Sequence, residues 1–246
     1  MTEIKKPESC SHCSKIVQIG NPILRKPATK VENNSVKSDF VQDTVKKLET
    51  AIDNYDAVGL AAPQVGIDLK IACVQVTATQ LQSHAYENIK EFGMEPVPKT
   101  VLINPTLEVI NKEKILMNEG CLSVHACEAL VPRYKEIKAK FLDKNGEENV
   151  WHAKDWTARI LQHEISHLNG KLFVDEMMPN TLKFHYWLCQ NAQYGHFNKK
   201  FIENNVPISF LKQYWNSQVN TQYGESYRRY GRKGSPGKYN RFTVLH

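Results

Sequence analysis

Gln162-His163-Glu164-Ile165-Ser166-His167-Leu168-Asn169-Gly170 places H-E-x-x-H in a helical setting. Residues four apart share one helix face, so the imidazoles of His163 and His167 can grip a single metal ion. Glu164 follows the first of them and can accept a proton from a water on that ion. Asp155 is the expected N-cap of this helix and Gly170 its C′ residue.

A catalytic site of this kind keeps three protein ligands and one open position. In one class of metallopeptidase the third ligand is a histidine six residues past the second, but Phe173 stands there. Glu176 and Glu203 fit a downstream glutamate formally, without a supporting motif. Cys121 is the stronger candidate. It lies in Glu119-Gly120-Cys121-Leu122-Ser123, where Gly120 lets the backbone approach closely. Its thiolate suits Fe(II) and Zn(II) alike.

Upstream, residues 39–55 read as an amphipathic helix with Phe40, Val41, Val45, Leu48, Ala51 and Ile52 on one face. Residues 58–66 are apolar and Gly-rich, and Pro63 bars a regular helix there. Residues 70–76 read as a buried strand. Residues 78–99 are polar and mixed, as expected of a surface insertion. A strand over 100–110 is interrupted at Asn104-Pro105, and another begins at 115–117. In 134–142, Ile137, Ala139 and Phe141 share a face. Asp143-Lys144-Asn145-Gly146 marks a hairpin turn, and Val150-Trp151 starts the return strand. A further helix is expected near 180–193. The fold class is α+β: antiparallel strands around a central helix carrying H-E-x-x-H, with a C-terminal helical extension.

The chain has 246 residues, 41% hydrophobic and 24% charged, enough for one well-packed domain with appendages. No stretch approaches the roughly 20 apolar residues of a membrane span. Six cysteines are too few for a disulfide scaffold of this length, which points to a reducing compartment. Cys10-Ser11-His12-Cys13 is a lone C-x-x-C without a second half and reads as incidental; Cys73, Cys127 and Cys189 read as packing residues. The first 20 residues contain no arginine and no apolar core, unlike a signal or transit peptide. Part of the net charge of +6 sits beyond about residue 224, where Arg228, Arg229, Arg232, Lys233, Lys238 and Arg241 alternate with Tyr227, Tyr230 and Tyr239. Such a tail can meet ribosomal RNA through phosphate charge and base stacking, or simply be solvated. The organisation expected is a flexible N-terminus over 1–16, a catalytic domain over 17–193 and an extension with the basic tail over 194–246.

Three segments, in order, resemble peptide deformylase. Ala57-Val58-Gly59-Leu60-Ala61-Ala62-Pro63-Gln64 is similar to the family's G-Φ-G-Φ-A-A-x-Q, where Φ is hydrophobic. Residues 119–123 match E-G-C-Φ-S, and residues 162–170 resemble Q-H-E-x-D-H-L. Gly20-Asn21-Pro22-Ile23-Leu24-Arg25 is similar to the opening G-D-P-Φ-L-R, and Val131-Pro132-Arg133 matches a run after the cysteine. Order and spacing agree from about 17 to 190.

The resemblance implies that Cys121, His163 and His167 bind one divalent metal ion per chain. That ion is natively Fe(II) in much of the family, with Zn(II), Ni(II) or Co(II) as alternatives. It implies that Glu164 takes a proton from the attacking water and passes it to the leaving amine. The oxyanion would be held by the metal, the Gln64 amide and the Leu122 backbone N–H. The substrate would be an N-formylmethionyl nascent peptide; the products would be formate and a free N-terminal methionine. A peptide can add as a strand beside Val58-Gly59-Leu60. Val58, Leu122, Ile160 and the stem of Arg159 are the candidate walls of the methionine slot. Glu119 and Arg133 read as a structural charge pair.

The chain departs from the family pattern at three places. Ser166 replaces an aspartate that is not a ligand, so the expected effect is tuning rather than loss of metal. Ala57 replaces the first glycine of the first motif, and Asn21 replaces an aspartate. Val150-Trp151 and Trp156-Thr157-Ala158-Arg159-Ile160-Leu161 resemble the animal organellar branch, which implies mitochondria; the cytoplasm is the alternative. Two rival readings are an H-E-x-x-H peptidase, opposed by the missing downstream ligand motif, and a non-catalytic ribosome- or RNA-binding relative, opposed by the intact ligand set.

Overall fold

The long hairpin formed by β3 (Val97–Cys121) and β4 (Val124–Leu142) is the frame of the computed structural model, which describes residues 15–187 and Asn191. The described residues divide into two compact units between Leu182 and Lys183. In the first unit the hairpin pairs antiparallel from Ile103↔Leu142 to Cys121↔Val124. The segments read separately at 100–110 and 115–117 are therefore one bent strand. Asn104-Pro105 bends it without ending it. Asn104 takes φ 52, and the register shifts between Ile103 and Thr106. Proline has no N–H to give a ladder, so a bulge accommodates it. The Asn104 side chain secures the bend by accepting from Val31 N–H (2.9 Å) and donating to the Val31 carbonyl (2.7 Å).

The sheet runs β1 (Gly59–Ala61), β2 (Ile71–Val76), β3, β4, β5 (Glu148–Lys154), antiparallel throughout. Every residue of β2 is buried, the polar Gln75 included. In β4, Ile137, Ala139 and Phe141 face the core together. The turn after β4 forms where expected: Asp143 Oδ1 accepts from the N–H groups of Asn145 and Glu147, and Gly146 takes φ 85.

Helix α1 (Asp39–Asn54) buries Val41, Val45, Leu48, Ala51 and Ile52 against β1 and β2. Phe40 is a correction: it is 63% exposed, in the first turn of the helix and at the edge of its buried face. The stretch 78–99 is another. It folds into α2 (Ala78–Gln82) and α3 (Tyr86–Glu91), and Leu81, Met94 and Val97 are buried in the main core. Its overlooked signal is Thr77 with Gln80, whose side chains exchange hydrogen bonds with each other's backbone N–H to start α2.

Helix α4 (Asp155–Leu168) carries H-E-x-x-H, and all its residues from Trp156 to Leu168 are buried. It packs on β1 to β5 and is the central helix expected. Asp155 is a correction: it is the first residue of the helix, with φ 49, and the N-cap is Lys154, which makes no side-chain capping bond. Gly170 closes it with φ 74, its N–H donating to the His167 carbonyl (3.1 Å). The short α5 (Phe173–Glu176) follows. The helix expected near 180–193 does not begin at 180. A turn and the short strand β6 (Lys183–Phe184), in the second unit, come first. Most of the rest of that stretch, the basic tail, Cys10, Cys13, Cys189 and Glu203 lie outside the described residues. Among the described residues no helix is long and apolar enough to cross a membrane.

Candidate metal and catalytic centre

Cys121 ends β3 at the two-residue turn of the long hairpin, and α4 runs past that turn. The 3.6-residue period of α4 points His163 and His167 the same way. Cys121 Sγ lies 3.2 Å from His167 Nε2, which lies 3.2 Å from His163 Nε2. The three donor atoms fall within 4.8 Å of one another, and all three residues are buried.

The chemistry of this donor set fits a metal ion. His163 Nδ1 is 3.0 Å from Glu119 Oε2. That contact is a hydrogen bond only if Nδ1 carries the proton, which leaves the Nε2 lone pair free to ligate. Burial holds His167 well below its usual pKa, with His163 and Arg133 adding to the effect, which favours its neutral, ligating form. Burial pushes the Cys121 thiol up to about 12. A thiolate buried there needs a cation beside it, and a metal ion is one.

Glu164, next to His163 on α4, is near enough for its charge to raise the Cys121 thiol further. Its Oε2 is buried and has no hydrogen-bond partner among the described residues. Burial raises its pKa well above the ordinary value; the Glu119 charge raises it further and Arg133 opposes. Gln64 belongs to the tight turn Ala62–Val65 that Pro63 imposes after β1. Its Oε1 accepts from Ala61 N–H (2.8 Å), which orients the amide. Its Nε2 then lies 3.4 Å from Cys121 Sγ and 3.3 Å from Ser123 Oγ. Leu122 is half-buried in the turn beside it, its carbonyl accepting from Gln18 Nε2 (2.9 Å). Among the described residues β1 ends the sheet order, so the outer edge of Gly59–Ala61 has no strand beside it.

Glu119 is fully buried and organises the layer behind the ligands. It accepts from Arg133 Nε (2.9 Å) and Nη2 (2.8 Å) and from Arg159 Nη1 (2.6 Å). Burial alone would raise its pKa, but Arg133 and His163 hold the carboxylate well below its usual range. The expected Glu119–Arg133 pair is thus present and extends to His163.

Arg159 lies buried on α4. Its guanidinium turns to Glu119 and to the carbonyls of Val131 and Ile115. Val58 and Ile160 share one core cluster, whereas Leu122 packs against another that includes Leu60 and Val65. Glu176 is not a third ligand: it accepts from Arg133 Nη1 and Ser166 Oγ, both at 2.7 Å. Sequence reasoning missed Ser123 beside Gln64 and the Arg159 contact to Glu119. Both join elements distant in the chain, the β1 turn to the hairpin tip and α4 to β3, which no local pattern encodes.

The family model of polypeptide deformylase matches residues 13–183. The chain belongs to the polypeptide deformylase family. It is 35% identical over 178 residues to the mitochondrial peptide deformylase of Homo sapiens, covering 72% of this chain and 73% of that one. It is 37% identical over 168 residues to the chloroplastic peptide deformylase 1A of Solanum lycopersicum, covering 68% and 61%. The Met-Ala-Ser-bound class I type b peptide deformylase from Acinetobacter baumannii superposes with a TM-score of 0.59 at 28% identity, over 67% of this chain and 98% of that one. The peptide deformylase from Ehrlichia chaffeensis gives 0.58 at 30% identity, over 68% and 89%. Peptide deformylases are metalloenzymes, and in this deformylase the three segments that carry the family likeness are those that converge. The first forms β1 and the Gln64 turn, the second the hairpin tip, and the third α4.

Proposed function

We propose that Cys121, His163 and His167 hold one divalent metal ion, and that Glu164, Gln64 and Leu122 perform deformylation around it. As a peptide deformylase, the chain hydrolyses the formyl group from newly made polypeptides. The observation that carries the residue assignment is the convergence of one sulfur and two imidazole nitrogens beside the unpartnered carboxylate oxygen of Glu164.

A bound divalent ion supplies Lewis acidity, which lowers the pKa of water and polarises a carbonyl. The protein does the rest. Glu164 accepts a proton from the water that adds to the formyl carbon, then delivers it to the departing amine nitrogen as the C–N bond breaks. Its raised pKa suits both halves of that shuttle. Gln64 Nε2 and the Leu122 N–H donate to the developing oxyanion, and the bond from Ala61 to Gln64 Oε1 keeps the amide from turning away. The peptide adds along the outer edge at Val58, Gly59 and Leu60 by main-chain hydrogen bonds. Val58, Leu122, Ile160 and the aliphatic stem of Arg159 border the methionine side chain.

The proposed native metal is Fe(II), with Zn(II), Ni(II) and Co(II) compatible with the same donors. A mitochondrial location is proposed, supported by the organellar names of the human and tomato relatives. Ribosome contact through the basic tail is proposed from its arginines and tyrosines.

The test is formate release from formyl-Met-Ala-Ser by anaerobically prepared, Fe(II)-loaded protein. Glu164→Ala should lower the rate by roughly 10²–10⁴-fold while one metal ion per chain remains bound. Equal rates would remove Glu164 from the chemistry. Truncation after about residue 220 should abolish salt-sensitive co-sedimentation with ribosomes; unchanged sedimentation would reject the tail contact.

A further inference from the structure

Two buried guanidinium groups, Arg133 and Arg159, converge on one carboxylate, Glu119. One positive charge in that cluster is left over. It lies one hydrogen bond behind a ligand, because Glu119 Oε2 also holds His163 Nδ1. Uncompensated, it would repel a cation at Nε2. It would also draw on the carboxylate whose negative charge makes the imidazole a better donor. Residue 166 is where the family motif carries an aspartate, but Ser166 has no charge to offer.

A carboxylate reaches the cluster from another element. Glu176, on α5, places Oε2 2.7 Å from Arg133 Nη1. Ser166 closes the triangle: its hydroxyl accepts from Arg133 Nη1 at 3.1 Å and donates to Glu176 Oε2 at 2.7 Å. An aspartate at 166 would set a second carboxylate against the first. The neutral hydroxyl is what allows Glu176 to fill that place. Exposed Lys171 approaches the other oxygen of Glu176 only to 4.0 Å, a contact screened by solvent.

We infer that Glu176 is a positioning residue of the metal centre, taking over from α5 the carboxylate that the family motif carries at 166. It neutralises Arg133 and leaves Glu119 to orient His163. This rests on the metal-centre reading above.

Full-length apo protein is titrated with Co(II) against a competing chelator, and the thiolate and ligand-field absorption is recorded. Wild-type protein should take one Co(II). Glu176→Gln should bind about tenfold more weakly, the lower end for partners beyond the ligands, with a changed ligand-field spectrum. Adding Ser166→Asp to Glu176→Gln should bring affinity and spectrum back to within about threefold of wild type, because the carboxylate returns beside Arg133. A merely structural role for Glu176 in α5 would not be repaired from α4. Wild-type affinity in Glu176→Gln, or no recovery in the folded double variant, overturns the inference. If Glu176→Gln does not fold, the double variant decides alone: near-wild-type affinity supports the inference and a tenfold loss overturns it. If wild-type protein itself takes no Co(II), the metal-centre reading falls first and the inference with it.

Discussion

Gly59 has no room for a side chain because Glu164 lies against it: a β-carbon there would stand 2.3 Å from Glu164 Oε1 and 2.7 Å from its carboxyl carbon. The edge strand thus sets where the proposed proton carrier sits. Gly59→Ala should displace that carboxylate without unfolding the domain. Formate release should fall by about 10²-fold, as for a misplacement of about 1 Å, with circular dichroism and bound metal unchanged. Unaltered kinetics would show that Glu164 does not depend on Gly59. Ala57, the other departure in this motif, is fully buried in the cluster under α1, away from this conflict.

Gln64 is held by Ala61 N–H on one side and faces Cys121 Sγ on the other. Gln64→Leu keeps the bulk and removes the donor. The rate constant kcat should drop roughly 10²–10³-fold, the range for losing one oxyanion donor, with little change in KM. A rise in KM at constant kcat would reassign Gln64 to substrate binding.

Glu119 and His167 make the metal-free fold acid-labile. The folded pKa of His167 lies well below 6.5, so its contribution is complete above that value and is lost as pH falls beneath it. The folded pKa of Glu119 lies below 4.5, so its contribution is complete above 4.5 and is lost at lower pH. The raised pKa of Glu164 opposes the His167 loss between these values, so the melts use Glu164→Gln protein in chelator, in which Tm should decline from pH 6.5 downward and further below 4.5. In Glu119→Gln the second decline should shrink to what Asp53, Asp68 and Asp143 contribute, and stability near neutral pH should be lower by about 3–5 kcal/mol, as when a buried ion pair loses one partner. Parallel curves for the two proteins below pH 4.5 would contradict the assignment.

Gly170 ends α4 at φ 74, and a β-carbon there would lie 2.7 Å from the Lys26 carbonyl carbon. Gly170→Ala should cost about 2 kcal/mol from the left-handed backbone, before any displacement of the 25–26 segment. That lowers Tm by roughly 4–8 °C for a domain of this size. Metal affinity should hold, because Gly170 lies past the last ligand. An unchanged Tm would mean that the chain at Lys26 yields freely.

The regular patterns of the chain determined a good deal by themselves. Helical spacing puts His163, Glu164 and His167 on α4, and Asp143-Lys144-Asn145-Gly146 dictates its turn, because both are encoded within a few consecutive residues. Cys121 could be singled out from its own short motif and the family likeness. Only the tertiary structure decided what surrounds these groups. Leu81, Met94 and Val97 enter the core from a polar stretch because the sheet and α4 leave an apolar face to cover. Arg159 turns to Glu119, and Glu176 reaches Arg133 past Ser166, because strand register and a helix end bring together charges that are distant in sequence. A buried charge must find its partner wherever the packed chain places one, and no run of neighbouring residues records that position.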